Sequence, residues 1–340
     1  MKLSRLALLL AVLAIIAGWF YWAIFSPKQD ISQVIYQTIK DQQGRADLAF
    51  KRVSFEEVSG GEKFWELRAE SAVVNKDSGV ATLQETTGTF YKHGRPVLKF
   101  RSPAALWDMK KKEIFLDKPL GYDVSYERQI ATLIKTLRDK PGSLFTIAEN
   151  YQPGLGYWFQ ARNLSWKVAD QLLLCTGGIV LNKGEITGYA DSLRGDVELK
   201  RVRLEGNPRL VIVPSKSSPV TFEAASFELD RELDQFIAHG HPYVSWQEAT
   251  VTAANGKYLQ AEKKIELAGQ ARINYRDISA GGDQANYLLA SQQIILTGQA
   301  RADQGDNHLS SDQVMVSLKE QKISLLGRSK VIINEEGIAP

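Results

Sequence analysis

Leu267-Ala268-Gly269-Gln270-Ala271-Arg272 returns twenty-nine residues later as Leu296-Thr297-Gly298-Gln299-Ala300-Arg301. The register extends in both directions. Gly177, Gly206, Gly240, Gly269, Gly298 and Gly327 are spaced by 29, 34, 29, 29 and 29 residues. With only 26 glycines in 340 residues, chance does not produce that spacing. The single long interval holds an extra loop, Pro214 to Pro219. A fixed period of this size is the mark of a repeat architecture.

The flanks of each glycine repeat too. Four residues before stand Leu173, Val202, Phe236, Ile265, Ile294 and Ile323, and two before stand Cys175, Leu204, Ala238, Leu267, Leu296 and Leu325. Four after stand Leu181, Leu210, Val244, Ile273, Ala302 and Val331. Sixteen before, the residue is always small: Ala161, Ala190, Ala224, Ala253, Gly282 and Ser311. Apolar residues at even offsets share one parity, which belongs to strands with one buried face rather than to helices. The glycine falls where a strand bends, because it lacks a Cβ. At 8–12 residues per strand and turn, each unit is expected to hold about three strands. One unit cannot bury its own apolar face, so the units stack into an elongated all-β, two-sheet array.

The region before residue 127 alternates more loosely. Trp65, Leu67 and Ala69 alternate with Glu66, Arg68 and Glu70, and Ile114 and Leu116 precede Lys118 with Ser102 sixteen residues before it. One segment departs from this pattern. In Arg128 to Lys140, Ile130, Leu133, Ile134 and Leu137 have helical spacing, and Pro141-Gly142 ends the run. The sequence therefore predicts β modules over 48–126 and 143–335, joined by a short amphipathic helix within 127–142.

Leu6 to Phe25 is twenty residues without a charge, long enough as a helix to cross a bilayer. Trp19, Tyr21 and Trp22 suit a headgroup layer, and Lys2 and Arg5 place residues 1–5 in the cytoplasm. A signal peptide is the alternative, but the run ends in bulky residues without a small-residue cleavage site. The expected organisation is a single-pass anchor at 6–25, a polar tether at 26–47, and the rest of the chain across the membrane, which the resemblance given below makes the inner membrane and the periplasm.

Composition excludes several functions. Forty-two basic against 39 acidic residues give a net charge of +3, too even for nucleic-acid binding by counterion release. One cysteine rules out a disulfide framework and a cysteine-rich zinc site. Nucleophile-elbow, P-loop and zinc-protease motifs are missing, so neither catalytic residues nor cofactors are expected. His239-Gly240-His241 lacks a nearby third ligand, so no metal site is expected. Glu56-Glu57 and Glu335-Glu336 read as solvated pairs.

Taken together, the chain resembles the periplasmic bridge of the lipopolysaccharide (LPS) export system. The part with the anchor, Gly61 to Ala72, Leu83, Phe90-Tyr91, Gly94 and Ser102 to Asp108 is similar to the membrane-anchored LptC component. The glycine repeats with Leu309-Ser310-Ser311-Asp312-Gln313-Val314 are similar to the LptA or OstA-like component. The resemblance implies an open β-jellyroll whose apolar groove carries the acyl chains of LPS. It also implies an inner-membrane ABC transporter at one end and an LptA-like or outer-membrane translocon protein at the other, joined by edge-strand addition.

On that reading the inward ladder contacts lipid: Val202, Leu204, Phe236, Ile265, Leu267, Ile294, Leu296, Ile323 and Leu325. Sheltering acyl chains is worth roughly 0.8 kcal/mol per CH₂. The same alternation equally describes a dry, filled β core. A basic residue recurs three after the glycine, at Arg209, Arg272, Arg301 and Lys330, with outward parity. These four are possible phosphate contacts, or simply a solvated face that keeps edges soluble. An envelope scaffold polymerising through β edges and a polysaccharide-acting β enzyme are the alternative functions.

Overall fold

The computed structural model describes residues 48–138, 157–167, 170–214 and 218–333, together with Gln37. The expected cytoplasmic N-terminus, the anchor and nearly all of the tether lie outside the described residues. Among the described residues, no helix is long and apolar enough to cross a membrane.

Among the described residues there are twenty-two strands, all paired antiparallel, and each short strand pairs beyond its neighbour in the chain. The first six are β1 (Leu48–Ser59), β2 (Glu62–Asn75), β3 (Val80–Lys92), β4 (Arg95–Asp108), β5 (Glu113–Asp117) and β6 (Leu120–Asp123). A 3-10 turn, Val124–Tyr126, and α1 (Glu127–Arg138) interrupt them. Next come β7 (Tyr157–Lys167), β8 (Leu172–Lys183), β9 (Ile186–Asp196), β10 (Arg201–Glu205), β11 (Arg209–Ile212), β12 (Val220–Glu223) and β13 (Ser226–Asp230). Then follow β14 (Gln235–His239), β15 (Tyr243–Trp246), β16 (Ala249–Thr252) and β17 (Asn255–Leu259). The last five, β18 (Lys264–Tyr275), β19 (Ile278–Leu288), β20 (Gln293–Gln304), β21 (Asn307–Ser317) and β22 (Lys322–Ile332), are long and continuous.

Short strands act in tandem as one bent strand. β9 pairs with β10 through its C-terminal half and with β11 through its N-terminal half. Pro119, Pro208 and Pro242 fall in three of these breaks, where a residue without an N–H interrupts a ladder at least cost. Each long strand makes the same bend without breaking. All strands thus contribute one half to a first leaf and the other half to a second, which makes the body a β-jellyroll.

The repeat glycines are the bends. Gly269-Gln270 stands opposite the single residue Asp283, because Ala268 pairs with Gln284 and Ala271 with Gly282. Two residues against one is a β-bulge, which turns the strand sharply. Gly269 has φ of 85°, the left-handed region that side chains other than glycine enter at a cost. A Cβ there would also lie 2.7 Å from the Cβ of Ala254. Glycine is therefore required twice at this position, by backbone conformation and by proximity. The residue that meets the glycine stands fifteen before it, next to the small position that the sequence singles out.

Two expectations need correction. A 29-residue unit holds two bent strands rather than three, since strands of 11–12 residues with short turns fill it. The helix is also no joint in the sheet, because β5 and β6 both pair with β7 across the insertion. α1 occupies a hairpin position, and Ile130 covers Leu120, Tyr122 and Trp158 on the outside of the second leaf. Asp123 caps the preceding turn by accepting the Ser125 N–H at 2.8 Å.

Candidate functional site

Cross-strand pairing joins the inward residues into continuous rows. In the first leaf Val202 pairs with Leu229, Leu229 with Phe236, Phe236 with Tyr258, Tyr258 with Ile265, and Ile265 with Tyr287. The row continues through Ile294 and Val316 to Ile323. A parallel row runs from Leu116 through Leu204, Phe227, Leu267, Leu296 and Val314 to Leu325. The second leaf answers with a row that includes Leu67, Phe100, Phe159, Leu181, Leu210, Phe222, Val244, Val251 and Ile273.

Seven of the nine ladder residues, Val202 through Leu296, are no more than 2% exposed, and Ile323 and Leu325 are partly buried at the C-terminal end. All nine face the interior, on two neighbouring rows. Their partners Leu229, Tyr258, Tyr287, Phe227 and Val316 are not singled out by the sequence, because the intervening strands carry no repeat glycine. Period-two alternation within those strands, as in Ala285, Tyr287 and Leu289, is the signal that finds them.

The leaves are closed on one another rather than separated by an unfilled slot. Phe222 of the second leaf lies T-shaped against Phe227 of the first, with centroids 5.0 Å apart. Its ring tip also comes within 3.1 Å of the place a Cβ on Gly256 would occupy. Aromatic side chains on the intervening strands fill the space that aliphatic rows alone would leave. In water, apolar leaves close because exposed apolar surface costs about 25 cal/mol per Å².

This interior has orphaned polar atoms. The Tyr258 and Tyr287 hydroxyls and the Trp166 and Trp246 indole N–H groups are buried without a partner among the described residues. Burial pushes both phenols well above their ordinary range. Buried donors usually find acceptors, so these mark places where one is missing.

Away from the glycine bends, the free ends of the leaves meet along a polar seam. Lys112 donates to Glu57 at 3.2 Å, Lys92 to Glu198 at 2.5 Å and Arg231 to Asp123 at 2.6 Å. The Tyr157 hydroxyl donates to the Leu199 carbonyl at 2.9 Å and that of Tyr275 to the Leu318 carbonyl at 3.1 Å. Lys183 bonds Asp234 and, at 2.6 Å, Gln260, while Lys263 reaches Glu185 at 3.0 Å. Each contact joins a turn or strand end of one leaf to one of the other.

The Glu198 carboxyl illustrates the electrostatics. Burial works to raise its pKa, but the hydrogen bond and charge of Lys92, with Lys200 and His93, hold it below its usual value of 4.5. A depressed folded pKa stabilises above the unfolded value, and that stability is lost as pH falls through the folded one. Melting temperature should therefore drop on acidification below about pH 4.5, and Glu198→Gln should remove part of that drop. An unchanged profile in the variant would mean that the pair carries no linkage.

The four basic residues lie elsewhere. Arg209, Arg272, Arg301 and Lys330 are exposed on the outer face of the second leaf. Arg272 and Arg301 flank Gly281 in one cross-strand row, over a shallow depression of about 310 Å³. Arg209 stacks on Tyr189 at 5.0 Å. None reaches the apolar interior. A second depression, about 560 Å³, lies beside α1 and includes Arg68, Lys99, Arg101 and Glu127, with Lys99 bonded to Glu127 at 2.5 Å. His239 is 3.8 Å from Glu228, and no group of three metal-ligating side chains occurs among the described residues.

Both ends expose apolar surface on strands paired on one side only: Leu48, Phe50 and Val58 on β1, and Leu326, Val331 and Ile332 on β22. Between them the two leaves, glycine bends and inward rows define a jellyroll of regular rungs.

Residues 160–322 match the family model of the LptA/(LptD N-terminal domain) LPS transport protein. The matched segment opens in β7 and closes at the first residue of β22. It contains seven ladder residues and leaves Ile323 and Leu325 just beyond it. Strands β1–β6, which carry the LptC-like resemblance, lie outside it. The chain is also similar to LptH from Pseudomonas aeruginosa, the LptA homologous periplasmic component of the lipopolysaccharide transport device. That likeness has 18% identity, 36% coverage of this chain, 99% of the other and a TM-score of 0.32. No curated protein matches the chain in sequence. The matched segment contains five of the six repeat glycines, with Gly327 beyond its end.

Proposed function

We propose that this chain is a membrane-anchored periplasmic bridge, carrying LPS from an inner-membrane ABC transporter toward the outer membrane with its acyl chains held between the two leaves. The observation that carries this reading is the unbroken inward rows of the segment matching the LPS-transport family. Rows that are alike from rung to rung offer a chain similar contacts at each step, which suits sliding rather than storage. The closed leaves must part to admit a chain, and apolar contacts with the chain then replace those between leaves. An acyl ester or amide carbonyl would also give the orphaned Tyr258 and Tyr287 hydroxyls an acceptor.

In this reading residues 6–25 anchor the chain in the inner membrane. The exposed edges of β1 and β22 join partners of the same fold by strand addition, LptA-like or belonging to the outer-membrane translocon. The four outer basic residues contact phosphates only where a headgroup lies against the second leaf. No catalytic role is assigned to any residue.

The filled interior favours one competing reading, an envelope scaffold that polymerises through its edges. Purification of the full chain from membranes followed by lipid mass spectrometry separates the two. Stoichiometric acylated glycolipid is the result expected of a carrier. Chain free of glycolipid, assembling into filaments through its ends, would replace the carrier with the scaffold.

A further inference from the structure

We propose that the polar seam is the lateral gate through which acyl chains reach the interior, and that its cations exchange carboxylate partners for anionic headgroup groups as chains pass. This rests on the carrier reading and adds the route and its recognition chemistry.

The glycine side cannot open, because continuous backbone crosses from leaf to leaf at every unbroken bend, as at Gly269 and Gly298. The seam side is different. The turns at 260–263 and 231–234 belong to the first leaf and the turn at 184–185 to the second. Side chains join them: Lys183 with Asp234 and Gln260, and Lys263 with Glu185. Backbone hydrogen bonds instead run along each row of turns, as from the Gln260 N–H to the Asp234 carbonyl and from the Leu289 N–H to the Lys263 carbonyl. Each row is thus rigid along its length, while exchangeable contacts hold one row to the other.

The chemistry of those contacts suits an amphiphile. Lys183 has a side chain only 13% exposed, directly above the buried interior, and Lys263 is 40% exposed at the rim. A chain entering here places its tail between the leaves and its head at the two ammonium groups. A phosphate can then replace Asp234 or Glu185 without leaving a buried cation unpaired. The geometry therefore couples admission of the tail to capture of the head.

Two measurements on the full chain test the gate. Spin labels at Glu262 and Glu248, on turns of opposite leaves, report the mouth without lipid present. Lys183→Met with Lys263→Met should shift their distance distribution to longer values, and an unchanged distribution would overturn the seam as the closure. The second measurement uses purified LPS and a photoreactive residue at Ile265, in a chain with Glu262→Cys and Glu248→Cys, which leaves Lys183 and Lys263 in place, joined across the mouth by a bis-maleimide. Cys175 is fully buried, with its thiol pKa pushed up, and stays unlabelled. Bridging should abolish capture that the unbridged double variant retains. Equal capture in both forms would place admission at the ends of the body, overturning the gate and sparing the carrier. Absent capture in both, with the labels reporting an open mouth, would remove the carrier and the gate with it.

Discussion

Trp166→Ala is expected to cost about 3–5 kcal/mol of stability, the range for emptying a buried aromatic site. Trp166 is 1% exposed, pairs with Ile114 and Leu173, and lies tilted at 60° against Phe90 with ring centroids 4.4 Å apart. It holds the first leaf of the glycine-repeat strands against the strands that precede them. The indole N–H has no partner among the described residues, so the expected loss is one of packing. Trp166→Phe keeps an aromatic ring and deletes an orphaned donor, so it should cost less than about 1.5 kcal/mol. Denaturant unfolding of the full chain, followed by circular dichroism, measures both. Equal losses in the two variants would mean that the interior is not packed tightly around this ring.

The second large effect lies at a bend. Gly269→Val should destabilise by about 3 kcal/mol, from a β-branched residue forced to positive φ and a Cβ driven into Ala254. The control is Gly305→Ala at a hairpin turn, where φ is 57° and nothing lies within 4 Å of an added Cβ, so only the conformational cost of about 1 kcal/mol remains. Ala254→Gly should rescue part of a Gly269→Ala defect, because the two substitutions share one contact. Strict additivity in that cycle would show that the close approach is not what requires glycine.

These positions show what the sequence makes legible. The Gly269 bend and the inward direction of Ile265, Leu267, Ile294 and Leu296 follow from spacing alone, because a bulge and a buried face each impose a fixed parity. The number of strands per unit does not follow, since spacing does not distinguish two long bent strands from three short ones. Tyr258 and Tyr287 escaped notice because their strands carry no glycine marker, yet they line the same row as Ile265. The seam was illegible for a different reason. Lys183 and Asp234 are fifty-one residues apart and meet only because each strand folds at its glycine and returns to the mouth. The break in pairing expected at α1 failed likewise: helical spacing in Arg128 to Lys140 identifies a helix, but nothing local reveals that β5 and β6 reach past it to β7.

Site-specific photocrosslinking during active LPS export tests the account most directly. Photoreactive residues would replace Ile265 and Ile294 inside the leaves, with Arg272 on the outer face as the control. Capture of LPS at both interior positions, dependent on the transporter's ATP hydrolysis and far weaker at Arg272, is the predicted result. Export that proceeds while Ile265 and Ile294 stay free of lipid would contradict the account, leaving a body whose interior serves only to hold it together.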